Sequence, residues 1–191
     1  MSLVVSVEPT EEPVTRTEVK AHLRIDTTDD NTLLDTLISA ARHYAENFTR
    51  RAFVTQTLVL RMDAFPATDI ELPRAPAASV TSIAYIDTDG ATQTWAAENY
   101  TVDVNTKPAR IVLAYDKSYP DTRTVINAVT VTYVAGYGDA TTVPQGIKLA
   151  IKSLVGHWYE NREGSTYHDK VHLVPLAIDA LLTQYSIPEF V

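Results

Sequence analysis

AGYGDATTVPQGIKLAIKSLVGHWYENRE, residues 135–163, decides how this chain is read. It starts as the end of a strand, passes through a turn with Gly136 and Gly138, and opens a helix at Pro144. Ile147, Ala150, Ile151, Leu154, Val155 and Trp158 recur at the spacing of one helix face. The helix then runs out into a polar cluster, Tyr159-Glu160-Asn161-Arg162-Glu163. Nothing in the stretch has the pattern of a catalytic motif. It is the seam where a β region gives way to a helical one.

Upstream of the seam the period is two. Val54, Gln56, Leu58, Leu60 and Met62 alternate with Thr55, Thr57, Val59, Arg61 and Asp63, a strand pattern. Further strands are predicted at 69–72, 80–87, 93–95, 100–105, 111–115 and 128–135. Asp87-Thr88-Asp89-Gly90 is a hairpin turn, because Gly90 supplies the positive φ such a loop needs. Pro66, Pro73, Pro76, Pro108 and Pro120 keep the strands short and rich in edges.

Beyond the β region, on both sides, the period returns to 3.6. Thr15-Arg16-Thr17-Glu18 has the capping-box spacing and starts a helix to about Ile25. A second helix follows from Asn31 to about Phe48, with Leu34, Leu37, Ile38, Ala41, Ala45 and Phe48 on one face. Asp35, Ser39, Arg42 and Glu46 fall on the opposite face. After the helix opened by Pro144, a polar loop over 163–170 leads to a last helix from about Pro175 to Tyr185. The fold class is therefore α+β: a bundle of about four helices, two from each end (15–50 and 143–186), with an inserted antiparallel β subdomain over 53–137. The 191 residues form a single domain of this kind. A core shared by Leu37, Ile38, Phe48, Ile147, Ile151, Leu154, Trp158 and Leu181 is expected, since each helix face is too apolar to leave in water.

Composition removes whole classes of function. No cysteine is present, so disulfides and thiolate metal sites are excluded. The hydrophobic fraction of 45% suits a folded chain, yet no apolar run reaches the length of a membrane span. MSLVVSVEPTEEP lacks the features of a signal peptide, which predicts a protein kept in the cytoplasm or in a particle assembled there. The net charge of −8 argues against gripping duplex DNA, which calls for clustered Lys and Arg. It suits a protein-binding module, or a channel wall past which DNA slides.

Individual side chains add little chemistry. His168 and His172 stand four apart with Asp169 between them, but their stretch reads as loop and a metal site needs three or four converging ligands. No nucleophile elbow or phosphate-binding glycine loop is present, so no catalytic, cofactor or metal residues are assigned and the chain is read as a non-enzyme. Arg16, Lys20 and Arg24 make a basic stripe on the first helix, suited to an acidic neighbouring subunit. With Tyr159 and Arg162 they form the candidate subunit interface. Ten tyrosines, Tyr115, Tyr119, Tyr137, Tyr167 and Tyr185 among them, exceed what the core needs and favour interfaces. The tail Ser186–Val191 is broken by Pro188 yet carries Ile187, Phe190 and Val191, so it is expected either to pack back or to dock on a partner.

In order along the chain, several short segments carry a resemblance. Lys20-Ala21-His22-Leu23-Arg24-Ile25-Asp26 resembles a "KxHLRID" first helix, and Ala40-Ala41-Arg42 through Arg51 an "AAR…E…TGR" helix end. Ile70-Glu71-Leu72-Pro73 with Pro76 and Ser79–Ile83 is similar to "LPxxPxxSVxSI". Tyr85-Ile86-Asp87, Asp89-Gly90 and Tyr100–Asp103 are similar to "YxDxxG…YxVD", and Ala135-Gly136-Tyr137, Val143-Pro144 and Asn161–Glu163 complete the set. The set resembles the head–tail connector (adaptor) proteins of long-tailed phages and gene-transfer agents, nearly end to end. One departure is Arg50, where that family tends to have glycine.

The resemblance implies a structural virion protein of the phage neck, assembled in the bacterial cytoplasm. Such an adaptor forms a dodecameric ring beneath the portal protein and extends the DNA channel without binding DNA specifically. It also offers a platform to the next neck or tail (stopper) protein. It further implies portal docking through the C-terminal segment, here Tyr185, Ile187, Phe190 and Val191. The alternative left open by the residues themselves is a monomeric β-rich module that binds a protein or ligand at its sheet edges.

Overall fold

The structure is a computed structural model, and it describes residues 1–161 and 176–188. The chain divides into two compact units. One comprises residues 1–10 and 55–137 and holds the strands; the other comprises 11–54 and 138–191 and holds the helices.

The strand unit contains β1 (Ser2–Val7), β2 (Gln56–Met62), β3 (Ile70–Leu72), β4 (Ala77–Ile86), β5 (Thr92–Thr94), β6 (Tyr100–Asp103), β7 (Ala109–Leu113) and β8 (Val129–Ala135). Five of these form one antiparallel sheet in the order β1-β2-β8-β4-β5, and three form another, β3-β7-β6. The seven strands expected from alternation are present with shifted ends. β1 is not among the expected strands: SLVVSV has no turn signal after it and finds its partner only across more than fifty residues, Val4 opposite Val59.

β8 lies at the centre because alternate residues suit burial on one face. Val129, Val131, Tyr133 and Ala135 are buried, as are Leu58 and Leu60 on β2, where Leu60 stands opposite Val131. Burial of side chains this size is worth about 1.5–3 kcal/mol each. The Tyr133 hydroxyl donates to the Pro73 carbonyl, and burial pushes its ionisation upward. Phe65, Trp95, Tyr100 and Tyr119 form a ring cluster, with centroids 4.8–5.3 Å apart in contacting pairs. At the 87–90 turn Gly90 has φ 91° and donates its N–H to the Asp87 carbonyl, as its sequence requires.

The helical unit contains α1 (Arg16–Leu23), α2 (Asn31–Thr49), α3 (Gln145–Glu160) and α4 (Leu176–Thr183). α2 packs on α3, α3 on α4, and α1 on both α2 and α3. The buried faces meet through Leu34, Ile38, Ala41, Ala45, Ile147, Ile151, Leu154, Ile178 and Leu182. Of the core predicted from sequence, Ile38, Ile147, Ile151 and Leu154 are fully enclosed, while Leu37, Phe48, Trp158 and Leu181 are half-buried. Trp158 meets Tyr44 edge-on at 6.1 Å, and Gly156 lets α1 come close, since a Cβ there would sit 2.8 Å from Leu23.

Two local readings have definite outcomes. The capping box forms: Thr15 accepts from the Glu18 N–H, and the Glu18 carboxylate accepts from the Thr15 N–H at 2.6 Å. Arg42 and Glu46 lie opposite the apolar face of α2 and are nevertheless enclosed. Both are buried, at 4% and 5% exposure. Arg42 reaches Glu46 at 3.1 Å and Glu12 at 2.8 Å, and Glu46 accepts from the Phe53 N–H at 2.8 Å. Glu12, from before α1, and Phe53, just past the end of α2, supply partners that the helix itself does not contain, which is why a helix-face reading misses the burial.

Candidate functional site

A cofactor or metal pocket is the first thing to look for. Among the described residues, no group of three or more His, Asp or Glu is arranged to hold a metal ion. His168 and His172 lie outside those residues. No described helix is long and apolar enough to cross a membrane. One shallow groove of about 400 Å³ is lined by Glu11, Glu12, Val14, Arg16, Asp35 and Ile38. Its carboxylates are engaged locally: Glu11 accepts from the Ala140 N–H, Glu12 from Arg42, and Asp35 from Arg16. The groove is a built joint of the helical unit, with no group aimed at a ligand.

The perturbed acids tell the same story. The Thr15 N–H bound to the Glu18 carboxylate holds it below the usual carboxylate range. Hydrogen bonds from Thr141 do the same for Asp139, which caps the turn before α3, and one from Gln93 does so for Asp87 in its hairpin. Burial alone would lower the Arg42 ionisation, but the hydrogen bond and charge of Glu12, followed by Glu46, outweigh it and raise it. All of these shifts come from caps, turns and a buried ion cluster. They are architectural.

The surfaces singled out from sequence fall as follows. Arg16 bonds Asp35 of α2 at 3.2 Å, with both side chains about half exposed. Lys20 donates to the Thr27 carbonyl at 2.6 Å, and Arg24 caps α1 in the left-handed region and is exposed. Tyr159 donates to Asp30 at 2.5 Å. Arg16, Lys20 and Tyr159 are thus engaged within the helical unit, and Arg162 lies outside the described residues. At the C-terminal end, the Tyr185 carbonyl accepts from Arg51 and the Ile187 N–H donates to the Thr49 carbonyl at 3.1 Å. Ile187 is 8% exposed. Phe190 and Val191 lie outside the described residues. Among the tyrosines, Tyr115 is 98% exposed and Tyr119 is taken up in the ring cluster; Tyr167 lies outside the described residues.

Sequence reasoning missed the edge strand. β1 shows Val4, Val5 and Val7 at 47%, 39% and 55% exposure, an apolar strand open on both faces. The signal was present in SLVVSV, three valines in six residues without a charge.

The whole fold is the more informative object. The family model of the head completion protein matches residues 12–168, most of the chain. The chain belongs to the head completion protein family. This head completion protein has the same fold as chains in three solved assemblies of gene transfer agents. "Virion of native gene transfer agent (GTA) particle" matches with TM-score 0.80 at 22% identity. "Neck of empty GTA particle computed with C6 symmetry" gives 0.81 at 22%, and "Neck of native GTA particle computed with C12 symmetry" gives 0.74 at 24%. Each match covers 100% of this chain and 98% of the other. No curated protein matches this head completion protein.

The exit of α2 bears on the one departure from the connector pattern. Arg50 takes φ 57° and ψ 37° and donates its N–H to the Glu46 carbonyl. The left-handed cap that glycine serves most easily is kept here by arginine.

Proposed function

We propose that this protein is a head–tail connector of the virion neck, a structural ring subunit rather than an enzyme. The observation that carries the reading is the end-to-end likeness to chains of gene transfer agent particles, two of them from necks, joined to membership of the head completion family. A ring of twelve copies sits beneath the portal, extends the DNA channel, and presents a platform to the next neck or tail (stopper) protein. DNA passes through the lumen without specific contacts, which suits a chain of net charge −8. The helical segments and the β insertion over 53–137 work together as one connector.

Portal docking falls to the C-terminal segment with Tyr185, Ile187, Phe190 and Val191. Ile187 is held against Thr49 in the free chain, so docking through Ile187 exchanges that contact for one with the portal. Arg16, Lys20, Arg24, Tyr159 and Arg162 serve the subunit interface. The Arg16–Asp35 pair is about half exposed on both sides and cheap to rearrange, because such ion pairs are worth about 0–1 kcal/mol.

The test is removal of the gene from the producing strain. Filled heads without attached tails are expected, restored by the intact chain supplied in trans. A chain lacking residues 189–191 should keep its melting temperature and fail to restore. Normal tailed particles in the absence of the protein would refute the reading.

A further inference from the structure

The five-stranded sheet ends in two edges, β1 on one side and β5 on the other. Proteins that stay monomeric protect such edges with Lys, Pro or inward charges, because an open row of backbone N–H and C=O groups pairs with any extended chain. Neither edge carries such a residue, although β5 is short at three residues. β1 carries no charged residue and no proline, and its one register shift lies between Val5 and Val7, leaving Ser2–Val5 regular. Residues 90–97, which contain β5, are uncharged as well, and Thr92, Gln93 and Thr94 are all exposed. In a chain with 24 acidic and 16 basic residues, two neutral edges on one sheet are the places where identical subunits approach without repulsion.

The valines point the same way. A strand in a solitary domain ordinarily buries one face, whereas β1 leaves Val4 and Val7, on one face, and Val5, on the other, in water. Covering both faces as well as the edge takes a neighbour that adds a strand and brings further surface with it. Edges at opposite ends of a sheet are different surfaces. Contact between them is therefore head-to-tail, the arrangement that closes into a ring. Pairing β1 with a second β1 would make an isologous dimer and stop there.

We infer that β1 of one subunit pairs with β5 of the next copy of this chain, so that the five-stranded sheets join edge to edge around the ring. The inference rests on the ring reading given above and names the contact that builds it. Backbone hydrogen bonds supply the attachment, and the valines supply the apolar cover.

The absence of cysteine makes the contact directly readable. Val4→Cys/Thr92→Cys and Val5→Cys/Thr94→Cys chains, supplied to the strain lacking the gene, sample both faces of β1. Purified particles are treated with a short bismaleimide, with each single variant alongside. A ladder of covalent multimers extending past the dimer, seen with a double variant and absent from both singles, is the expected result. Particles that carry the protein but give no ladder, or give only dimers from the Val4→Cys single, overturn the inference and leave the connector reading standing. Particles that never contain the protein sink both. As a second measurement, Val5→Lys should leave the melting temperature of the free chain unchanged while lowering its copies per particle at least tenfold, with Val5→Thr restoring them. Normal incorporation of Val5→Lys would also overturn the inference.

Discussion

Replacing Glu46 by alanine strikes the helical unit where most of its polar order converges. The carboxylate is 5% exposed, accepts from the Phe53 N–H at 2.8 Å, and pairs with Arg42 at 3.1 Å. Breaking a buried ion pair by removing one partner costs about 3–5 kcal/mol. Arg42 retains Glu12 at 2.8 Å, which places that loss near the lower end. Leaving the Phe53 N–H without this acceptor costs about 1–3 kcal/mol, partly overlapping the first loss. The expected total is about 3–4 kcal/mol. For a chain of this size each kcal/mol moves the melting temperature by about 2–4 °C, so the midpoint should fall by about 6–16 °C. Fluorescence can follow the helical unit alone in a Trp95→Phe background, because Trp158 lies in that unit and Trp95 in the other. An Arg42→Met, Glu46→Leu cycle should return a coupling energy above about 1 kcal/mol, since the two side chains share one network. A loss below about 1 kcal/mol for Glu46→Ala, or a coupling near zero, would refute the account of this cluster.

Three further outcomes follow from the same geometry. Arg50→Gly should stabilise the chain by about 0.5–1 kcal/mol in urea unfolding, because glycine adopts φ 57° without the side-chain clash and gives back only part of that in chain entropy; Arg50→Ala is the control and should show no such gain. Leu154→Ala, at a fully enclosed position of α3, should cost about 2–5 kcal/mol, and an unchanged thermal midpoint would mean the bundle contacts are wrong. The Glu18 carboxyl is held below its ordinary 4.5, so its cap contributes fully above that pH and is lost as pH falls through the lower folded value. Glu18→Gln should therefore flatten the acid side of a stability–pH curve below about pH 4.5, measured by urea midpoints at successive pH values.

What could be read in advance was local. The Thr15–Glu18 cap, the Gly90 turn and the α3 face each depend on residues within a few positions, and their residue types admit few alternatives. β1 depends on a distant partner, and the Arg42–Glu46 cluster on partners outside its own helix. A short apolar run looks the same whether or not Thr57–Arg61 waits across the sheet. Likewise, an Arg and a Glu four apart on a helix look like a solvated pair until Glu12 and Phe53 close over them. The candidate surfaces divided along the same line. Arg16 and Lys20 were visible as a stripe, but their engagement with Asp35 and Thr27 required the α1–α2 packing to be known. The exposed valines of β1 became notable only once the strand was seen at an edge.

The interleaving of the two units along the chain sets an order of events on the ribosome. Residues 55–137 complete the strand unit around the earlier β1, whereas α2 cannot bury Leu34, Ile38 and Ala45 against α3 until roughly a hundred further residues have been added. At about 5–20 residues per second that is a wait of about 5–20 s, with an apolar helix face unaccompanied near the exit tunnel. The strand unit thus matures first and the bundle closes last. Chains released before residue 145 would leave that face permanently open, a target for holdase chaperones and proteases.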